Sequence, residues 1–190
     1  AQLAGHVEIG AGFLLFGITL VYGATGSFDI DVISSQISSG SMNSSAMLFT
    51  GILLILFAMA FKVSAAPFHF WAPDVYQGAP TVITAFMSTV VKTAAIAAFF
   101  RLFIHAFTAM TDVWHTVLMI ISAATILIGN ITAVYQTNVK RMLAYSSIAH
   151  AGYMLMAIVS MNTAAPSALL FYTIAYSISS IASFTILLIV

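Results

Sequence analysis

The stretch FKVSAAPFHFWAPDVYQGAP, from Phe61 to Pro80, follows the apolar run MLFTGILLILFAMA and interrupts it with a lysine, prolines and a histidine. Pro67 has no amide hydrogen and its ring clashes with the preceding turn, so a helix running through this stretch loses a hydrogen bond near Val63. In a membrane such a break is tolerated only where it faces protein or water. The stretch therefore predicts a broken membrane helix whose break lines a hydrated cavity, with Lys62 about one turn before the proline.

The composition indicates that the whole chain lies in a membrane. Of its 190 residues, 62% are hydrophobic and only 5% are charged, whereas soluble domains carry about 25% charged residues. A net charge of zero gives no sign of nucleic-acid binding. The absence of cysteine excludes disulfides and thiolate metal sites. We expect one membrane domain, residues 1–190, which contacts the lipid bilayer, binds no nucleic acid and is an internal fragment of a longer subunit.

Six apolar segments are each near the length of about 20 residues that a membrane helix needs. They are residues 5–24, 46–71, 81–104, 113–136, 139–161 and 166 to the end, and the first two are joined by the polar connection GSFDIDVISSQISSGSMNSS. Backbone groups in lipid must be satisfied within their own segment, so helices are favoured over strands. The sequence predicts an all-α polytopic bundle of about six transmembrane helices, one of them broken at a proline. Lys140 and Arg141 favour the cytoplasmic side for their turn.

Two lysines lie at membrane depth, Lys62 within the second segment and Lys92 near the middle of the third. A lysine at that depth costs about 2.5 to 3.5 kcal/mol or more, and it normally faces a bundle interior or a hydrated cavity. Burial disfavours the charged form of a lysine and a nearby carboxylate favours it, so a lysine under both influences can load and release a proton. We predict a proton relay at these lysines. The alternative is that each lysine pairs with an acid to hold the bundle together, and that Pro67 is only a packing kink.

Two histidines are candidates for passing protons between these lysines. His69 follows the break, and His150 lies within the fifth segment in SSIAHAGY. Neutral histidine both donates and accepts a hydrogen bond and titrates near neutral pH. Glu8, the only glutamate, is expected to be a solvated or headgroup residue, and Asp74 is expected to have a structural role in its turn. Because nucleotide and metal motifs such as GxGxxG, the P-loop and HExxH are missing, we expect neither cofactor nor metal in this chain.

Three stretches together resemble a known family: FKVSAAPFHFWAPDVYQGAP, STVVKTAAIAAFFRLF and GNITAVYQTNVKRMLAYSSIAHAGYMLMAI. They resemble the antiporter-like membrane subunits of respiratory complex I, NADH:quinone oxidoreductase, and most closely the subunit N (ND2) family. The resemblance covers the chain from about Phe13 to the end. It implies part of an inverted-repeat antiporter-like fold. It also implies a subunit of a proton-translocating enzyme in which this chain carries out no redox chemistry itself.

The resemblance implies roles for individual residues. Lys62 corresponds to the lysine of the first broken helix, Lys92 to a bridging lysine, and His150 to a histidine on a hydrated central axis. It further implies that the acidic partner of Lys62 lies before residue 1, and that a second broken helix lies after residue 190.

The resemblance also implies partners and a location. NAD, FMN, iron–sulfur clusters and quinone are expected in partner subunits, and the partners are other membrane-arm subunits of complex I. The expected location is the bacterial inner (plasma) membrane in preference to the mitochondrial inner membrane. Two alternatives stay open: a subunit of a multi-subunit sodium/proton antiporter or membrane-bound hydrogenase, and a non-transporting membrane scaffold.

Overall fold

The computed structural model describes residues 2–40 and 46–189, and every regular element in that part of the chain is helical. The helices are α1 (Gln2–Thr25), α2 (Ile30–Ser38), α3 (Ala46–Lys62), α4 (Trp71–Gly78), α5 (Thr81–Phe86), α6 (Lys92–Arg101), α7 (Thr111–Val134), α8 (Val139–Ser160) and α9 (Ala165–Ile189). A π-turn at Met87–Val91 joins α5 to α6, and a second at Leu102–Ala106 with a 3-10 turn at Thr108–Met110 joins α6 to α7. The predicted all-α class is confirmed.

Five stretches are long and apolar enough to cross a membrane: Glu8–Thr25, Thr81–Ala106, Thr108–Val134, Val139–Ser160 and Ala165–Ile189. The sixth apolar segment is α3, whose 17 residues extend about 26 Å at about 1.5 Å per residue. That length falls slightly short of the hydrocarbon core of about 30 Å. The predicted segment 46–71 is broken, as the sequence indicated, and the structure gives the bounds of its parts: α3 ends at Lys62, and the chain continues as an irregular segment and then as α4 from Trp71.

The end of α3 is closed by a hydrogen-bonded turn. Ser64 has a positive φ of 62°, and its amide donates to the carbonyl of Phe61 at 3.0 Å while that of Ala65 donates to Ala60 at 2.8 Å. This pair of bonds is a Schellman motif, which satisfies the last carbonyls of a helix. The position of the break is thus corrected: α3 ends at Lys62, before Pro67, and the turn around Ser64 ends it in place of the missing amide hydrogen of the proline.

The polar connection after α1 contains a short amphipathic helix, α2, that the sequence analysis did not predict. Its N-cap is Asp29, whose side chain accepts from the amide of Asp31 at 2.9 Å. Its apolar side chains Ile33 and Ile37 are buried against the rest of the bundle. The two isoleucines are four residues apart with serines between them, and this helical spacing of apolar side chains is the sequence signal for α2. Residues 41–45 of the same connection lie outside the described residues.

Glycines allow two helix pairs to pack closely. A Cβ added at Gly17 would lie 3.0 Å from the carbonyl oxygen of Gly51, so α1 and α3 approach backbone to backbone there. A Cβ added at Gly129 would lie 2.7 Å from the amide nitrogen of Ala149, and one at Gly152 would lie 3.0 Å from that of Ile126. Small residues at such positions let membrane helices approach closely and gain dispersion contacts. The α7–α8 spacing set in this way positions the polar groups described below.

The α4–α5 turn and the α7–α8 turn lie at the same end of the bundle. Arg141 at the start of α8 forms an ion pair with Asp74 of α4 at 2.7 Å and a hydrogen bond to Gln77 at 3.2 Å. Lys140 donates to the carbonyl of Ala79 at 3.3 Å. These bonds tie α4 to α8 and give Asp74 the structural role expected from the sequence.

Candidate functional site

Lys92 is buried in the middle of the bundle and its ammonium group contacts α8. Its exposed fraction is 4%, and Nζ donates to the carbonyl of Ser147 at 2.8 Å and to the Ser147 hydroxyl. In the described ranges, the one ion pair is between Arg141 and Asp74, so no carboxylate there balances the charge of Lys92. The ammonium group therefore contacts neutral hydrogen-bond acceptors and, in the described ranges, no negatively charged side chain.

A π-turn places Lys92 at this position. Met87–Val91 forms the turn and Lys92 is the first residue of α6 after it. A π-turn widens a helix by one residue per turn and is frequent at functional sites. Ser88 within the turn is buried, and its hydroxyl is 2.7 Å from that of Tyr176 on α9. The local widening thus brings a lysine and a serine of one span against two other helices.

Buried hydroxyl groups continue from Lys92 into α9. The Tyr176 hydroxyl donates to the Ser147 oxygen at 2.9 Å, the same oxygen that accepts from Lys92. Tyr176 in turn meets Ser88. The sequence analysis did not name Ser88, Ser147 or Tyr176 as site residues. For Ser88 and Ser147 the available signal was the spacing of four residues from Lys92 and three from His150, which places each on the same helix face as a predicted residue. Tyr176 lies on α9, which carries neither of those residues.

His150 lies beside this group of hydroxyls and is half-buried. Its Nδ1 is 2.7 Å from the hydroxyl of Tyr172, and its ring centroid is 4.9 Å from that of Tyr176. His150, Ser147 and Tyr176 all line one cavity of about 50 Å³. The structure thus brings Lys92 and His150, two of the predicted residues, to the same polar region.

The break between α3 and α4 is held by polar groups of the protein. The amide of Ala66 donates to the hydroxyl of Thr125 on α7 at 2.9 Å, and the indole of Trp71 donates to the carbonyl of Phe61 at 3.2 Å. The Lys62 side chain is exposed on the surface of the described part of the chain and forms no ion pair there. Lys62 therefore lies at a helix end, and no hydrogen bond in that part of the chain joins it to the region of Lys92.

His69 lies in the break and is 5% exposed. Its Nδ1 is buried and makes no well-oriented hydrogen bond to any described residue. Its ring centroid is 6.5 Å from that of Tyr145, two residues before Ser147 on α8. A buried polar atom without a partner is uncommon, and it marks a position where water or another group can bind. Glu8 is exposed on α1.

Metal binding finds no support in the described ranges. Among residues 2–40 and 46–189, no group of three or more His, Cys, Asp or Glu side chains lies close enough together to hold a metal ion. The polar groups that do converge are an amine, an imidazole and hydroxyls. Of these groups the imidazole is the one that ordinarily titrates near neutral pH, and the hydroxyls can both donate and accept hydrogen bonds.

Curated relatives match most of this chain. The subunit N of NADH-quinone oxidoreductase from Gemmatimonas aurantiaca is 46% identical over 180 residues, 95% of this chain and 34% of that protein. The subunit N from Cytophaga hutchinsonii is 49% identical over 170 residues, 90% of this chain and 36% of that protein. The chain thus spans about a third of the length of the curated relatives it matches.

Solved structures share the fold. A chain of respiratory complex I from Thermus thermophilus is 38% identical to this one with a TM-score of 0.72. The match covers 92% of this chain and 37% of the complex I chain. A chain of the Mrp complex from Dietzia is 25% identical to this one with a TM-score of 0.85. The match covers 96% of this chain and 33% of the Mrp chain. A family model described as NADH:quinone oxidoreductase/Mrp antiporter, TM, matches residues 4–190. The chain therefore belongs to the NADH:quinone oxidoreductase/Mrp antiporter transmembrane family.

Proposed function

We propose that this chain is part of the subunit N of a proton-translocating NADH:quinone oxidoreductase and carries part of its proton relay. The similarity to subunit N proteins from several bacteria supports this assignment. The proposed partners are other membrane-arm subunits, and the proposed location is the bacterial inner membrane. NAD, FMN, iron–sulfur clusters and quinone would be bound by partner subunits, so that electron transfer occurs outside this chain.

The observation that carries the relay proposal is the setting of Lys92. A buried lysine used only for packing is normally paired with a carboxylate, because an unpaired buried charge is expensive. Lys92 instead donates to a neutral serine that also accepts from Tyr176, and that serine lines a cavity shared with His150. An amine in this setting can change its protonation state without breaking an ion pair.

The proposed mechanism couples Lys62 at the end of α3 to the polar region around Lys92. Redox events in partner subunits shift the charge of a neighbouring ionisable group and thereby the protonation of Lys62, through an acidic partner outside this chain. Coulomb interactions in the poorly screened interior are strong enough to pass this change on to Lys92. His69, with its unpartnered Nδ1, and His150, next to the cavity, relay protons between the lysines through water.

The test is Lys92→Met in the full-length subunit within its assembled complex. Inverted membrane vesicles are supplied with NADH, and both NADH oxidation and vesicle acidification are followed. Lys140→Met is the matched control, because Lys140 bonds only a turn carbonyl at the end of the bundle. We expect acidification per NADH oxidised to fall in Lys92→Met and to stay at the parent value in Lys140→Met. An unchanged ratio in assembled Lys92→Met complex would refute the relay.

A second candidate function is a subunit of a sodium/proton antiporter. The observation in its favour is the closer structural agreement with the Mrp complex than with complex I. Sequence identity favours the oxidoreductase. A sodium gradient that drives proton movement in vesicles without NADH would establish the antiporter. The scaffold alternative predicts that Lys62→Met reduces assembly and leaves the activity per assembled complex unchanged.

A further inference from the structure

A second cavity lies at the end of the bundle opposite the α7–α8 turn. It has a volume of about 200 Å³ and opens to the surface between the first turns of α7 and the C-terminal end of α8. We call it the α7 pocket, and its lining residues are Thr111, Asp112, His115, Thr116 and Met161. One bound water needs about 10 to 15 Å³ of such space, so the α7 pocket has room for a polyatomic group.

The α7 pocket lies at the level of lipid headgroups. The apolar span that contains α7, Thr108–Val134, has 27 residues, which extend about 40 Å at about 1.5 Å per residue. The hydrocarbon core is about 30 Å thick, so a span centred in it projects about 5 Å into the headgroup layer at each end. Asp112 lies four residues after Thr108, and its side chain leans towards the helix N-terminus. Its carboxylate therefore lies near the boundary between the core and the headgroups.

The α7 pocket offers hydrogen-bond acceptors and a negative charge. His115 Nε2 is 2.8 Å from the carbonyl oxygen of Val159. Because a carbonyl only accepts, Nε2 carries the hydrogen and the neutral ring keeps Nδ1 as an acceptor. Asp112 is exposed and forms no ion pair within residues 2–40 and 46–189, and neither lysine nor arginine lines the pocket. These groups suit a primary ammonium, which has a positive charge and three N–H donors.

An apolar face of α7 continues from the pocket towards the middle of the membrane. Met119 and Ile120 follow His115 and Thr116 by one turn, and they are 48% and 61% exposed. Leu127 lies further along the same face and is 60% exposed. From Thr116 to Leu127 the helix rises about 16 Å, close to the thickness of about 15 Å of one hydrocarbon leaflet. A charged pocket above an exposed apolar face of this length has the shape of a phospholipid site.

We propose that the α7 pocket binds the headgroup of phosphatidylethanolamine, whose acyl chains lie along the exposed apolar face below it. The ammonium pairs with the Asp112 carboxylate and donates to His115 Nδ1. The hydroxyls of Thr111 and Thr116 donate to the phosphate. A choline headgroup has no N–H donor, and an anionic headgroup leaves the charge of Asp112 without a counter-charge, so the pocket prefers ethanolamine. This site lies apart from the region of Lys92 and does not depend on the proposed relay.

Photocrosslinking in the assembled complex tests this assignment. The complex that contains the full-length subunit is placed in phosphatidylcholine nanodiscs with a small fraction of phosphatidylethanolamine that carries a diazirine in one acyl chain. Phosphatidylcholine with the same diazirine chain is the matched probe, and labelled residues are identified by peptide mass spectrometry. Asp112→Asn removes the charge with little change of shape. Asp31→Asn is the matched control, because Asp31 is exposed on α2 and does not line the pocket.

We expect the phosphatidylethanolamine probe to label residues 119–127 about fivefold more than the phosphatidylcholine probe, since a partly exposed ion pair contributes modestly. Asp112→Asn should abolish this preference and Asp31→Asn should keep it, in complexes whose assembly is confirmed by NADH oxidation. Equal labelling by the two probes in the parent, or an unchanged preference in Asp112→Asn, would overturn the proposal. Failure of both probes to label α7 would show that protein covers this face, and would overturn it as well.

Discussion

The close approach of α7 and α8 at Gly129 allows a quantitative prediction for Gly129→Ala. The added Cβ would lie 2.7 Å from the Ala149 nitrogen and 2.9 Å from its Cα, whereas unstrained carbon contacts lie at about 3.5 to 4.0 Å. The helices must therefore separate by several tenths of an ångström. Both partners are backbone atoms, which cannot rotate away as the end of a side chain can.

The two energetic terms have opposite signs. Overpacking of this kind costs about 1 to 3 kcal/mol, and replacing a helical glycine by alanine returns about 1 kcal/mol of helix propensity. Hydrogen bonds that depend on the same spacing add to the cost, because the Ser122 hydroxyl reaches the Gly152 carbonyl across α7 and α8 at 2.9 Å. We expect Gly129→Ala to be destabilised by about 1 to 2 kcal/mol in net terms.

The assay is the fraction of complex that stays intact after heating, measured by native gel electrophoresis of the full-length subunit in its complex. The matched control is Gly78→Ala, since a Cβ there meets nothing within 4 Å in the described residues. Gly129→Ala should lower the midpoint temperature, and Gly78→Ala should leave it unchanged or raise it slightly. Equal midpoints for the two variants would refute the argument that the α7–α8 contact is limited by the backbone.

Three further predictions concern the break and its surroundings. Thr125→Val removes the acceptor of the Ala66 amide and should lower the midpoint temperature by the equivalent of about 1 to 3 kcal/mol. Thr125→Ser keeps the hydroxyl and should leave the midpoint temperature unchanged. Equal losses in the two variants would contradict the role of the Thr125 hydroxyl at the break. His69→Phe removes an unpartnered buried nitrogen, so stability should be kept while acidification per NADH falls; retained acidification would exclude His69 from the relay. Asp74→Asn should change stability by less than about 1 kcal/mol, because the Asp74 side chain is 63% exposed and exposed ion pairs contribute little. A large loss of assembled complex would contradict this small contribution of the ion pair.

Part of the site was predictable from the sequence because its signal is local. A lysine in the middle of an apolar segment must face the bundle interior, and Lys92 does. His150 was identified by the same argument and lies beside the same cavity. The roles of Lys62 and His69 stay predictions, since the structure places Lys62 on an exposed surface and His69 in the break without joining either to Lys92 by a hydrogen bond in the described residues.

The sequence by itself determined that this chain is a bundle of membrane helices, one of them broken near Pro67, because hydropathy, proline and backbone satisfaction act within single segments. Only the tertiary structure decided which groups meet at the interruption and at the lysine. Lys92 bonds Ser147, 55 residues away, and Ala66 bonds Thr125, 59 residues away. Such pairs depend on the spacing and rotation of packed helices, which close contacts at Gly129 and Gly152 set and which no single segment encodes.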